Sequence, residues 1–126
     1  MLVSAKYALH FLNSGYAHLP RHAGAEKEPV LEMDAVDADA RGIEDGEIVR
    51  IYNSRGSLEA RVHVGSRVRP GVVAMAFGWW RSLAPAVNAL TSDGIADLGG
   101  GADFYGTRVE VSAVPAALEP VAAARA

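Results

Sequence analysis

The sequence contains no cysteine. This absence excludes disulfides, thiolate zinc sites, cysteine-ligated iron–sulfur clusters and a catalytic thiol within the chain. A basic excess is also missing, because 12 lysines and arginines stand against 15 aspartates and glutamates, for a net charge of −3. Since a protein that grips a phosphate backbone needs a basic patch, we expect no nucleic-acid partner.

Long hydrophobic runs are absent as well. The longest strongly apolar run, residues 72–77, is far shorter than the ~20 residues that a membrane-spanning helix requires. Residues 1–6 lack the basic start, apolar stretch and small-residue cleavage site of a signal peptide. We therefore expect no membrane insertion and a cytoplasmic location.

The composition is that of one globular domain rich in turns. The 126 residues are 50% hydrophobic and 21% charged, with 13 glycines and 6 prolines. A chain of this length can bury a real core. Residues 1–113 are predicted to form the domain, whereas residues 114–126, rich in alanine and proline, are predicted to be a disordered tail.

The middle of the chain has the alternation of β-strands. In residues 57–64 apolar side chains alternate with polar ones, and residues 47–52 form the preceding predicted strand. The turn between them ends at Gly56, which we expect to adopt a positive φ that closes the hairpin. Further strands are predicted at residues 7–12, 30–34, 72–77 and 107–111. We expect the strand at 72–77 to be buried on both faces.

A short helix is predicted over residues 37–41. Asp34 can cap its first amides and Gly42 can end it. Six strands, one or two helical turns and tight glycine corners indicate a mainly β fold, a small barrel rather than a layered α/β domain.

The histidines and the glycines at 99–101 could suggest a metal site and a phosphate-binding loop, but their sequence context supports neither. With no cysteine to help and one of the four histidines, His63, on an alternating strand face, we expect no metal site built by this chain. The glycines at 99–101 lack the Gly-Lys-Ser/Thr of a phosphate loop, so we interpret them as a turn. No catalytic residue is predicted.

Three segments carry the functional signal. Residues 12–16 place polar groups after an apolar strand, residues 78–80 include two adjacent tryptophans, and residues 88–92 supply an amide and hydroxyls inside a long loop. Amides and hydroxyls beside an aromatic wall suit a large heterocyclic ligand, because they can donate and accept hydrogen bonds along its edges.

Taken in order, these segments and their neighbours resemble the C-terminal dinucleotide-binding domain of molybdopterin oxidoreductases. That family includes formate dehydrogenases, nitrate reductases and dimethyl sulfoxide reductase. The resemblance extends over about residues 6–111 and is carried by an ordered series of short matches, at residues 10–14, 37–38, 41–43, 45–46, 53–56, 69–73, 78–80, 87–91 and 104–105.

The resemblance implies a six-to-seven-stranded double-psi β-barrel with one or two short helices. It also implies binding of molybdopterin guanine dinucleotide, whose molybdenum or tungsten is held by the cofactor and not by this chain. The cofactor-binding residues implied are Asn13, Ser14, Tyr16, Trp79, Trp80, Asn88, Thr91 and Tyr105. Tyr105 stands where the family often has a lysine.

The resemblance further implies that the chain is the C-terminal domain, or a small subunit, of a molybdenum or tungsten oxidoreductase. Its partners would be the remaining domains or subunits of that parent enzyme, and the isolated chain would not catalyse the reaction. A periplasmic location would follow if the parent enzyme were exported.

Two alternatives remain open at this point. The Gly-Ser pairs at 56–57 and 65–66 allow a self-processing pyruvoyl decarboxylase barrel, in which the chain is cleaved at such a bond. A protein-interaction barrel without cofactor, with Trp79 and Trp80 as an exposed anchor, is the other.

Overall fold

A computed structural model describes residues 1–5, 19–20, 28–76, 86–95, 97–103 and 106–114. This part of the chain contains six strands, one α-helix and a one-turn 3-10 helix. In chain order they are β1 (Leu2–Ala5), β2 (Val30–Asp34), α1 (Ala35–Arg41), β3 (Ile48–Tyr52), β4 (Ser57–Gly65), β5 (Val73–Ala76), the 3-10 helix (Val87–Ala89) and β6 (Glu110–Ala113).

The six strands form one sheet in the order β1-β5-β2-β4-β3-β6. β1 is parallel to β5 and β2 is parallel to β4, whereas the other neighbours are antiparallel. β1 at one edge contacts the segment that leads into β6 at the other edge, since the backbone N–H of Leu2 donates to the carbonyl of Thr107 at 2.9 Å, three residues before β6 begins. The sheet therefore closes on itself around a single core, as a barrel does.

The core follows directly from the alternation in β4. Leu58, Ala60 and Val62 are buried, whereas the polar side chains between them are exposed. Burying one face of a strand in this way is the main favourable contribution that an alternating sequence makes to folding. The predicted facing of residues 57–64 is confirmed.

β5 is less deeply buried than predicted. Val73 and Met75 are buried, but Ala74 and Ala76 on the other face are only half-buried. An apolar run does not distinguish two covered faces from one covered face and one lined with alanine, because alanine tolerates partial exposure.

Helix α1 has the caps that its sequence predicts. The Asp34 carboxylate accepts a hydrogen bond from the Val36 N–H at 2.9 Å, and Gly42 ends the helix with φ 63° and an N–H directed at the Ala38 and Asp39 carbonyls. The helix begins two residues earlier than predicted, since Asp34 itself is the N-cap. Its buried residue, Ala38, belongs to the core.

The predicted positive φ at Gly56 is wrong, although glycine is required at this position for another reason. The described glycines with positive φ are Gly42, Gly46, Gly71, Gly99 and Gly100, and Gly56 is not among them. A Cβ at Gly56 would instead lie 2.7 Å from the carbonyl oxygen of Ala89. Glycine is required there because two backbones approach closely, and not because the turn needs a left-handed residue.

The remaining predicted boundaries differ in part. β6 begins at Glu110 rather than 107, although Thr107 and Val111 are buried as the alternation predicts. β1 was not predicted. The strand predicted at 7–12 lies outside the described residues, as do residues 115–126 of the tail predicted at 114–126. Among the described residues, neither α1 nor the 3-10 helix has the length and hydropathy of a membrane-spanning helix.

The core predicts that truncating two leucines, one buried and one exposed, has different effects on stability. Leu31 is fully buried and Leu98 is 93% exposed. Leu31→Ala should lower the free energy of unfolding by about 2–5 kcal/mol, because it removes buried methyl groups and leaves a cavity. The control Leu98→Ala should change it by less than about 0.5 kcal/mol. Urea denaturation of both variants measures the difference, and equal losses would contradict this core.

The environment of Glu110 predicts that the stability of the fold decreases at acidic pH. The Arg41 guanidinium, which donates to the Glu110 carboxylate at 3.0 Å, and the Val111 N–H lower the pKa of Glu110 below its ordinary value. A carboxyl whose pKa is lower in the folded state stabilises the fold above its unfolded pKa of 4.5 and loses that contribution as the pH falls further.

Glu110→Gln should therefore lower the thermal midpoint slightly at pH 7 and have a smaller effect at pH 3. The effect is small because the ion pair is solvent-exposed. Thermal unfolding at the two pH values measures it. A larger loss at pH 3 than at pH 7 would show that the ion pair does not contribute as described.

Candidate functional site

The described part of the chain contains a surface cavity of about 400 Å³ after the 3-10 helix. Four of its lining residues have polar side chains and are called its polar wall here: Asn88, Thr91, Ser92 and Asp93. The rest of the lining is Gly94 and the loop that follows it, through Ile95, Gly100 and Ala102. Its volume lies in the range of small-molecule sites, which are about 300–1,000 Å³.

Hydrophobic anchors hold the polar wall. Val87 and Leu90 are buried in the core, and the Leu90 N–H donates to the Val87 carbonyl at 3.0 Å. Asn88 lies between them and is exposed, while Thr91 follows and is half-buried. The Thr91 hydroxyl donates to the Asn88 carbonyl at 3.4 Å. The tight turn thus directs two apolar side chains inward and leaves Asn88 at the cavity.

A glycine turn contributes to the rest of the cavity lining. Ile95 and Ala102 form an isolated antiparallel bridge, and Gly99 and Gly100 between them have φ values of 83° and 64°. The interpretation of residues 99–101 as a turn is therefore correct for Gly99 and Gly100. A left-handed backbone of this kind is accessible to glycine without steric strain, so the loop can fold back toward the polar wall.

The chemistry of the wall favours a neutral, N–H-rich ligand edge. Asn88 supplies an amide, Thr91 and Ser92 supply hydroxyls, and Asp93 supplies a carboxylate. No lysine or arginine is among the residues that line this described cavity. A carboxylate accepts hydrogen bonds and repels phosphate, so this wall suits the edge of a heterocycle rather than a pyrophosphate.

The structure brings together two of the predicted binding residues, Asn88 and Thr91, in one cavity. Asp93, which follows the predicted segment 88–92 directly, was missed, although an acidic side chain beside an amide and two hydroxyls was a usable signal. The other predicted residues lie outside the described part of the chain, namely Asn13, Ser14, Tyr16, Trp79, Trp80 and Tyr105.

A second polar cluster lies at the C-terminal end of β4, around His63. His63 Nδ1 is 3.2 Å from Asp45 Oδ1, and His63 Nε2 is 4.0 Å from Glu32 Oε2. The Val64 N–H, which donates to Asp45 at 2.7 Å, and nearby His63 lower the pKa of Asp45. Asp45 and Glu32 approach opposite ring nitrogens. No group of three or more histidine, aspartate or glutamate side chains among the described residues could hold a metal ion.

Comparison with known proteins identifies the class. Residues 1–108 match the family described as "Molydopterin dinucleotide binding domain". A mainly β barrel with a cavity that is partly lined by polar side chains, beside one of its turns, is consistent with such a cofactor-binding domain. The chain belongs to the molybdopterin dinucleotide-binding domain family, as its sequence predicted.

Two relatives place this domain within longer proteins. "Probable oxidoreductase YoaE" of Bacillus subtilis (strain 168) is 44% identical over 108 residues, which are 83% of this chain and 16% of the relative. A "Putative dimethyl sulfoxide reductase" catalytic subunit of Halobacterium salinarum is 35% identical over 114 residues, 89% of this chain and 14% of the relative. The chain therefore corresponds to a small part of larger oxidoreductases.

A solved structure agrees on the fold. Acetylene hydratase from Pelobacter acetylenicus matches 90% of this chain and 18% of its own chain, with a TM-score of 0.77 and 16% identity. This likeness concerns the fold alone. Together with the family match and the closed six-stranded sheet, it confirms the predicted mainly β, double-psi β-barrel class. The family likewise confirms molybdopterin guanine dinucleotide as the cofactor predicted.

Proposed function

We propose that this chain is one domain of a larger molybdenum or tungsten oxidoreductase, and that the 400 Å³ cavity forms part of its site for molybdopterin guanine dinucleotide. The observation that carries the proposal is that Asn88 and Thr91, predicted from sequence to bind the cofactor, line one cavity of a domain in the matching family.

The donors and acceptors of the wall fit this cofactor. Guanine and pterin each present a ring N–H beside an amino group, and a carboxylate can accept from both groups at once. Asp93 is the candidate for this contact, while the Asn88 amide and the Thr91 and Ser92 hydroxyls can bond to the remaining edge atoms. Hydrogen bonds to an ionised acceptor are stronger than those between neutral groups, so Asp93 should contribute most to binding.

The remaining predicted residues complete the proposal. The amide of Asn13 and the hydroxyls of Ser14, Tyr16 and Tyr105 would contact the dinucleotide. The indoles of Trp79 and Trp80 would exclude water from it. When bound, the cofactor supplies the metal-centred redox chemistry, and this chain's own share is to bind and orient it. Metal-ligating and substrate-binding groups would belong to the rest of the parent enzyme, so the isolated chain would be inactive.

The organisation of the parent protein is part of the same proposal. Residues 1–113 would form the domain, followed by the tail at 114–126. Its partners would be the other domains or subunits of the oxidoreductase, which is supported by relatives about six to seven times longer than the matched segment. A cytoplasmic location, or a periplasmic one for an exported enzyme, remains a prediction from sequence.

Asn88→Ala in the full-length enzyme should reduce cofactor retention more than it reduces stability. Asn88 is exposed, so the fold loses little, whereas the cofactor loses hydrogen bonds that contribute about 0.5–1.5 kcal/mol each. Guanine nucleotide released by acid hydrolysis, per mole of purified protein, measures retention. Metal content and nucleotide content equal to wild type after extensive dialysis would count against the proposal.

Asp93→Asn should weaken binding by about tenfold, since a hydrogen bond to a charged group contributes more than one between neutral groups. Asp39→Asn, an exposed helix position, is the matched control. The cofactor dissociation rate of the purified holoenzyme gives the comparison. If the two variants lose cofactor at the same rate, Asp93 does not contact it.

A further inference from the structure

We propose that Asn53 is a positioning residue for the dinucleotide site. Through its side-chain amide it would fix the turn between β3 and β4 to the segment that carries Asn88 and Thr91. This inference rests on the proposed function of the cavity, but its evidence is a separate set of hydrogen bonds.

The oxygen of the Asn53 side chain closes its own turn. Oδ1 accepts from the N–H groups of Arg55 at 2.9 Å and Gly56 at 3.3 Å. The Asn53 backbone N–H also donates to the Gly56 carbonyl at 3.0 Å. Asparagine commonly stabilises turns in this way, because its side-chain oxygen can accept from backbone N–H groups two or three residues ahead.

The nitrogen of the same side chain reaches two distant segments. Nδ2 donates to the Leu90 carbonyl at 2.8 Å and to the Arg108 carbonyl at 3.2 Å. A side-chain amide has two donor hydrogens and two acceptor lone pairs, and all four are used here. One half-buried residue therefore joins the β3–β4 turn, the segment after the 3-10 helix and the approach to β6.

The β3–β4 turn contacts the cavity segment at two carbonyls, and both lie between Asn88 and Thr91 in the chain. The Leu90 carbonyl belongs to the peptide bond that connects Leu90 to Thr91. The Ala89 carbonyl, which follows Asn88, lies against Gly56, where a Cβ would come within 2.7 Å of it. The turn thus holds residues 89 and 90 directly, and with them the directions in which Asn88 and Thr91 leave the backbone.

The apolar anchors do not set these directions by themselves. Val87 and Leu90 are buried, and hydrophobic burial is a non-directional interaction. Hydrogen bonds, in contrast, favour a narrow range of distance and angle. The 3-10 turn keeps its own backbone hydrogen bonds without Asn53, but it would lose the bond that fixes its orientation against the β3–β4 turn. Cofactor binding should therefore be more sensitive to Asn53 than stability is.

Asn53→Asp separates the two roles of the side chain. The carboxylate keeps the acceptors that close the turn, loses both donors, and faces the Leu90 and Arg108 carbonyls. In the full-length holoenzyme we expect at least a tenfold faster loss of guanine nucleotide on dialysis. Asn53→Ser is the milder second variant, because its hydroxyl can still accept from the turn but is too short to replace the amide donors.

Asp34→Ala is the control for a purely structural loss. It removes the cap of α1, and Asp34 pairs with Gly65, at the end of β4 opposite the Asn53 turn. β4 has nine residues, so at ~3.3 Å per residue its two ends lie about 26 Å apart. The control should lower the thermal midpoint without speeding cofactor loss.

The comparison decides between positioning and stability. Faster cofactor loss in the Asn53 variants than in Asp34→Ala, at an equal drop in thermal midpoint, supports positioning. If the rate of cofactor loss depends on the thermal midpoint in the same way in all variants, the positioning role of Asn53 is overturned.

Asn88→Ala separates this inference from the proposed function. If that variant loses cofactor and both Asn53 variants retain it, only the positioning role fails. If Asn88→Ala and Asp93→Asn both retain it, the cavity itself is not the site.

Discussion

The burial of one face of β4 is the constraint on which the described structure depends. β4 pairs with β2 on one side and β3 on the other, and its alternating residues supply the centre of the core. Because the side-chain period of a strand is two, a shift of one residue would expose that whole face to water. The register of β4 therefore sets both ends of the strand, where the Asn53 turn and the His63 cluster lie.

The site combines two kinds of interaction with different tasks. Val87 and Leu90 hold the cavity wall to the barrel by burial, which contributes stability without fixing orientation. Asn53 and the close approach of Gly56 to Ala89 add the directional part. Binding of a ligand through several hydrogen bonds depends on such orientation, since each bond weakens steeply with misalignment.

A small domain of this kind suits a cofactor shared with other parts of a larger protein. The chain corresponds to 14–16% of its relatives' length, and its described cavity offers neutral polar groups and one carboxylate but no cation. Such a wall can bind a heterocyclic edge while leaving phosphate charges to other residues. This division agrees with the general role of a protein toward its cofactor, which is to bind and orient it.

The sequence by itself determined the local features: the strand over residues 30–34, the facing of β4, and the caps of α1 at Asp34 and Gly42. These depend on neighbouring residues, through side-chain alternation and capping hydrogen bonds. Asn88 and Thr91 were predicted from sequence as binding residues, first from the polar segment 88–92 and then from the resemblance, and their binding role stays a prediction. Only the tertiary structure decided the parallel pairing of β1 with β5, the meeting of Gly56 with Ala89, and the presence of Asn88, Asp93 and Gly100 in the lining of one cavity. Each of these joins distant residues or opposing loops, and local periodicity carries no information about which distant backbones will meet.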